Sequence, residues 1–116
     1  MARPGRRQGG LVYIQHMYNE ATEDALSFDW DEANIEHISR HDVKPEEAEQ
    51  ALMNEPVEFD YDVVENEERW TSMGHTNRLR ILKVVWTLRG EKVRVITAIE
   101  ATKQEARGYL RAKGVR

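Results

Sequence analysis

Hydrophobic positions recur along this chain with two periods, and the change between them falls near Pro56. Before it the spacing is helical: Trp30, Asn34, Ile35 and Ile38 share one face of a turn of about 3.6 residues. Asp29 with Glu32 three residues on forms a helix-start signature. That helix should end near His41 and Asp42, because Asp tolerates the left-handed conformation that closes many helices. A second helix is expected from Pro45, the favoured first helical residue, with Glu46 and Glu47 in its first turn. Ala48, Ala51 and Leu52 would face inward, and Asn54 and Pro56 would stop it.

Beyond Pro56 the period falls to two. Val57, Phe59, Tyr61 and Val63 alternate with Glu58, Asp60 and Asp62, which predicts a strand with one apolar and one acidic face. A second strand over 68–74 contains Trp70. The third, over 79–88, is the most apolar and reads as a central strand covered on both faces. Arg89-Gly90-Glu91 is a tight hairpin turn. Val93, Val95, Ile96 and Ile99 mark the fourth strand. A capping box, Thr102 with Glu105, opens a last helix through Tyr109 and Leu110 to Gly114. The order ααββββα, with short turns between strands, implies an α+β fold: a four-stranded antiparallel sheet over about residues 57–99, with two N-terminal helices and one C-terminal helix. Val84 should lie at its buried centre.

Residues 1–26 hold Gly5, Gly9 and Gly10 and few regularly spaced apolar residues, so they read as a flexible tail ahead of a domain at 27–116. Leu11-Val12-Tyr13-Ile14 within it could pair as an edge strand. No apolar run approaches the roughly 18 residues that span a membrane, and the start is too polar for a signal peptide, so a cytoplasmic location is expected. The chain has no cysteine, which excludes disulfides and thiolate zinc sites.

Net charge is −4, but it is unevenly divided. Residues 1–68 hold 5 Lys/Arg against 18 Asp/Glu, and residues 69–116 hold 12 against 3. Arg69, Arg78, Arg80, Lys83, Arg89, Lys92 and Arg94 all fall on the second to fourth strands or their turns. Neighbouring strands would gather these charges into a field suited to phosphate, whose geometry the Arg fork matches. The alternative is that many of them pair with Glu58, Asp60, Asp62, Glu67 and Glu68 across the sheet. His37 and His41 would share a helix face, yet no third metal ligand accompanies them. No Gly-rich phosphate loop or nucleophile elbow is present.

Several segments taken together resemble a known family. Phe28-Asp29-Trp30-Asp31, Arg40-His41-Asp42-Val43 and Glu46-Glu47-Ala48 are similar to the opening of the BrnT toxins. Glu68-Arg69-Trp70, Gly74 and Val84-Val85-Trp86-Thr87-Leu88-Arg89-Gly90 follow in the family's order. Arg94-Val95-Ile96-Thr97-Ala98, Glu105 and Tyr109 resemble its close, and the likeness covers about residues 28–110. It implies a RelE-like fold, an RNA-cleaving toxin that uses no metal or other cofactor, an RNA substrate, and a BrnA-like antitoxin with which the toxin forms a hetero-oligomer. Attack would come from the ribose 2′-hydroxyl. Under that reading Arg69 and Arg89 are the candidate phosphate and transition-state ligands, and His41 is a candidate proton carrier. Arg78, Arg80, Lys92 and Arg94 would hold the RNA backbone. Two departures stand out: the family's Arg after S-A is Ile99 here, and Glu100 follows it. Ile99 continues the odd-numbered series Val93, Val95, Thr97 and is therefore expected to pack. Low activity, or a binding module that keeps its antitoxin surface without the chemistry, would follow.

Overall fold

The computed structural model describes residues 26–114, and the two periods of the sequence become helices and a sheet. Helices α1 (Glu32–Ser39) and α2 (Pro45–Met53) come first. Strands β1 (Val57–Val64), β2 (Glu67–His75), β3 (Ile81–Arg89) and β4 (Lys92–Glu100) follow, and α3 (Lys103–Ala112) closes the order. The sheet runs β1-β2-β3-β4, antiparallel throughout. This is the expected meander, with β3 internal and Val84 fully buried. The segment read as a tail, with its possible edge strand, lies outside the described residues except for Leu26. That residue is buried in the core.

Each helix end has a local cause. The cap of α1 is Asp31, not Asp29: its carboxylate accepts from the Ala33 and Asn34 N–H groups, and Asn34 accepts from the Asp31 N–H in return. Asp29 is committed elsewhere, because its N–H donates to the Val93 carbonyl and its carboxylate faces Arg94. Trp30 accordingly precedes the helix, and Ile35 on it is exposed. At the other end Asp42 sits at φ 63°, while the N–H groups of Asp42 and Val43 donate back to Ser39 and Ile38. These two bonds make a Schellman closure with buried Val43 as its apolar plug.

The core lies between these helices and one sheet face. Ile38, Ala48, Ala51 and Leu52 meet Trp70, Leu82, Val84, Trp86 and Val95 there. Trp70 stacks on Trp86 at 4.7 Å between ring centroids, and the Trp86 indole donates to fully buried Ser72. Such aromatic pairs add about 0.5–1.5 kcal/mol beyond their burial. Gly74 lets α2 approach: a Cβ there would stand 1.8 Å from the Ala51 carbonyl oxygen. Asn34 ties α1 to the sheet by donating to the carbonyls of Asp29 and Val95.

Three strand expectations change, and irregular backbone is the cause each time. β1 has a bulge at Phe59, so Val57 lines up with Met73 but Tyr61 with Trp70. Its apolar residues therefore serve both sheet faces, and Phe59 and Val63 are exposed. Leu79 is not in β3; it sits in the turn before it at φ 67°. β4 has a bulge at Ile96, because Val85 opposes Thr97 while Trp86 opposes Val95. Alternation flips there: Val93 and Val95 are buried before it and Ala98 after it. Ile99 consequently does not pack with the odd-numbered series. It is 37% exposed on the opposite face, across from Lys83. The outer edge of β4 is partly covered by the segment just ahead of α1, since the Val93 N–H donates to the Ser27 carbonyl and Phe28 bridges to Val93.

Candidate functional site

Side chains at 67, 69, 71 and 73 of β2 point away from α1 and α2, because those at 70, 72 and 74 point toward them. On this second face two of the expected site residues come together. Arg69 donates from Nε to Glu67 at 3.1 Å, and Arg89 on β3 donates to the same carboxylate at 2.8 and 3.1 Å. One carboxylate thus fixes two guanidinium groups. Desolvation by itself would raise the Glu67 pKa, but its bonds to Arg89 and Arg69 outweigh that and hold it below the usual carboxylate range. The Nη1 and Nη2 groups of Arg69 and Nη1 of Arg89 make no hydrogen bond among the described residues.

Next to this cluster on the same face runs a groove of about 480 Å³, between the sheet and α3. Thr71, two residues from Arg69, is in its wall together with Met73, Lys83, Val85 and Arg111. Lys83 is paired with Glu105 at 2.7 Å. That contact, joined by the Thr102 N–H bond of the capping box, lowers the Glu105 pKa. At the far end of β2, His75 Nδ1 lies 3.0 Å from the hydroxyl of buried Tyr109. Burial, with Glu55 adding to it, raises the Tyr109 pKa.

The other expected site residues are spread out. His41 lies in the turn after α1, in the helix layer, with the sheet between it and the two arginines; its ring meets His37 edge to face at 5.8 Å. Arg94 is only 14% exposed and grips Asp31 and Asp29 beside the α1 cap. Arg94 is also the leading cause that lowers the Asp31 pKa. Arg80 is held by Glu47 and Glu100. Arg78 and Lys92 are exposed, and neither forms an ion pair among the described residues. Much of the cationic field is therefore spent within the fold. Glu67 was weighed in the sequence only as a possible partner of these arginines; its double role comes from β2 and β3 pairing side by side. Among the described residues no group of three His, Asp or Glu is arranged to hold a metal ion.

Comparison with known proteins places the chain in a family. The family model described as ribonuclease toxin, BrnT, of type II toxin–antitoxin system matches residues 30–105. The chain belongs to the BrnT family. A solved structure, the Brucella abortus ribonuclease toxin BrnT, superposes with a TM-score of 0.52 at 20% identity. That match covers 68% of this chain and 100% of the other, and at such identity it speaks for the fold. A comparison with curated proteins finds no match. Membership in the BrnT family makes a ribonuclease toxin of a toxin–antitoxin pair the functional frame. No described helix is long and apolar enough to cross a membrane.

Proposed function

We propose that this chain cleaves RNA without a metal, through attack of a ribose 2′-hydroxyl on the adjacent phosphate. The observation that carries the reading is the pair Arg69 and Arg89, fixed on one carboxylate with donors to spare. A phosphate seated between them would meet fork-shaped donors that need no rearrangement. As the O2′–P bond forms and the P–O5′ bond breaks, negative charge grows on the phosphate oxygens, where those donors act. A proton leaves the 2′-hydroxyl and another reaches the 5′ oxygen. Glu67 is a positioning residue, because a carboxylate held below its usual pKa is a weak base. The neighbouring groove would take the strand beyond the cleaved bond, with Lys83 and Arg111 close to its backbone, while exposed Lys92 stands beside Arg89 at the hairpin. Arg80 and Arg94 would act through the fold, and His41 stands outside this site.

The test is cleavage of a defined RNA by purified protein in the presence of a chelator. Cleavage should persist and leave a 2′,3′-cyclic phosphate, and a single 2′-deoxy substitution at the cleaved position should stop it. Loss of activity to the chelator, or cleavage of the deoxy substrate, would overturn the mechanism. A second reading, a BrnT-like module that binds a BrnA-like antitoxin without cutting RNA, is favoured by one feature. Ile99 stands on the proposed RNA face where the family resemblance calls for Arg. Complex formation with no cleavage of any RNA would select it.

A further inference from the structure

The turn between β2 and β3 combines a conformation and a side chain that do not suit each other. Leu79 stands at φ 67°, a region that hairpin turns normally give to Gly or Asn. The residue is 76% exposed, the highest among the exposed large hydrophobic residues. The turn is nevertheless closely held. Thr76 is buried; its N–H donates to the Arg80 carbonyl and its own carbonyl accepts from Leu79. Its hydroxyl oxygen accepts from the N–H groups of Arg78 and Arg80. From α2, Gln50 accepts from the Asn77 N–H, and Asn54 at the helix C-cap donates to the Asn77 side chain and the His75 carbonyl. The backbone N–H of each residue from 76 to 80 is thus satisfied within the protein. A leucine here costs the free chain twice, in backbone strain and in apolar surface left in water. Strain kept in place by surrounding bonds is a pointer to function.

We propose that this turn is a rigid knob that docks into the antitoxin, with Leu79 entering an apolar pocket and Arg78 meeting a carboxylate on its rim. The proposal rests on the reading of this chain as a toxin with a protein antitoxin. Arg78 supplies the charge argument: it is exposed, adjoins Leu79 and has no ion pair among the described residues. An aliphatic tip suits a protein pocket better than RNA, whose bases stack on aromatic or guanidinium planes. Because the tip is already ordered, little entropy is lost on docking. The turn also lies at the opposite end of the sheet from the β1–β2 and β3–β4 hairpins beside Arg69 and Arg89. Neutralisation should therefore be separable from cleavage.

The experiment is titration of the full chain with the purified product of the reading frame that adjoins its gene. Wild type is compared with Leu79→Gly, Leu79→Asn, Arg78→Glu and the exposed-helix control Ile35→Asn, with melting and RNA binding measured for each. Leu79→Gly and Leu79→Asn should keep or raise Tm and weaken the complex about tenfold or more. Arg78→Glu should weaken it as well, and Ile35→Asn should not. If both Leu79 variants bind like wild type, the knob is wrong while the antitoxin reading stands. If wild type fails to bind, both fall. If the Leu79 variants lose RNA binding and keep the complex, the turn is an RNA contact and the proposal is overturned.

Discussion

On the sheet face that carries Trp70 and Trp86, polar groups close inward: the Trp86 indole finds Ser72, and Asn34 finds two carbonyls. On the face that carries Arg69 and Arg89, three guanidinium nitrogens remain without partners among the described residues. The two faces are built from the same strands, one residue apart. Volume fixes side chains on the first and shared charge fixes them on the second. Substitutions at adjacent positions of β2 should therefore fail in different ways, one losing the fold and the next losing the chemistry.

The sharpest way to break that comparison is at Gly74. Gly74→Ala drives a Cβ against the Ala51 carbonyl, which belongs to a helix and cannot swing aside. Denaturant unfolding should show a loss of about 3 kcal/mol or more, the upper end of overpacking. A loss under about 1 kcal/mol would mean that α2 can slide on the sheet. Arg69→Ala and Arg89→Ala should do the reverse. Both residues are partly exposed, so stability should change by less than about 1 kcal/mol. Cleavage should fall by about 10²–10³, the usual cost of one preorganised charge-stabilising donor. Unchanged cleavage in both variants would move the site off this face.

Ile99→Arg should have a smaller effect in the opposite direction. Residue 99 is exposed beside Lys83, so a guanidinium fits without repacking and adds positive charge to the proposed RNA face. RNA cleavage or growth arrest should increase while Tm holds, more so with Glu100→Lys. That second change also removes the Glu100 contact to Arg80. Strong toxicity of wild type, with no response to either variant, would show that residue 99 lies outside the chemistry.

The smallest effect concerns pH. Glu67 has a folded pKa below its unfolded one, so it adds stability at neutral pH. That contribution is lost as pH falls below the ordinary Glu value and through the lower folded value. Glu67→Gln should therefore be less stable than wild type at pH 7, by under about 1 kcal/mol for a pair this open to water. The two unfolding curves should converge in acid. A gap that persists at low pH would assign the difference to packing instead of charge.

How far the sequence could be read depended on whether a signal was local. Asp42, Pro45 and the Thr102–Glu105 box act on their own backbone, and each appears where the sequence placed it. The apolar run around Val84 likewise gave the buried strand. Bulges at Phe59 and Ile96 left no such mark, since an extra residue changes which face follows without changing composition. That is why Ile99 was expected inside and is found outside. Arg69 was legible as a cation on the second strand and Arg89 as one at the turn after the third, where β3 in fact ends. Their joint hold on Glu67, and the sheet that separates them from His41, depend on strand register and on which face the helices choose.

The clasp between the segment leading into α1 and β4 has a consequence for synthesis. Each hairpin of the meander joins neighbours in sequence and can close early. The bonds from Ser27 and Asp29 to Val93, and from Asp31 to Arg94, bridge more than sixty residues. On the ribosome the first helix, capped by its own residues, therefore waits for its ties to the sheet until the last strand has emerged. A nascent chain stopped at Gly90 should be open to protease throughout its first helix, and one extended past α3 should resist.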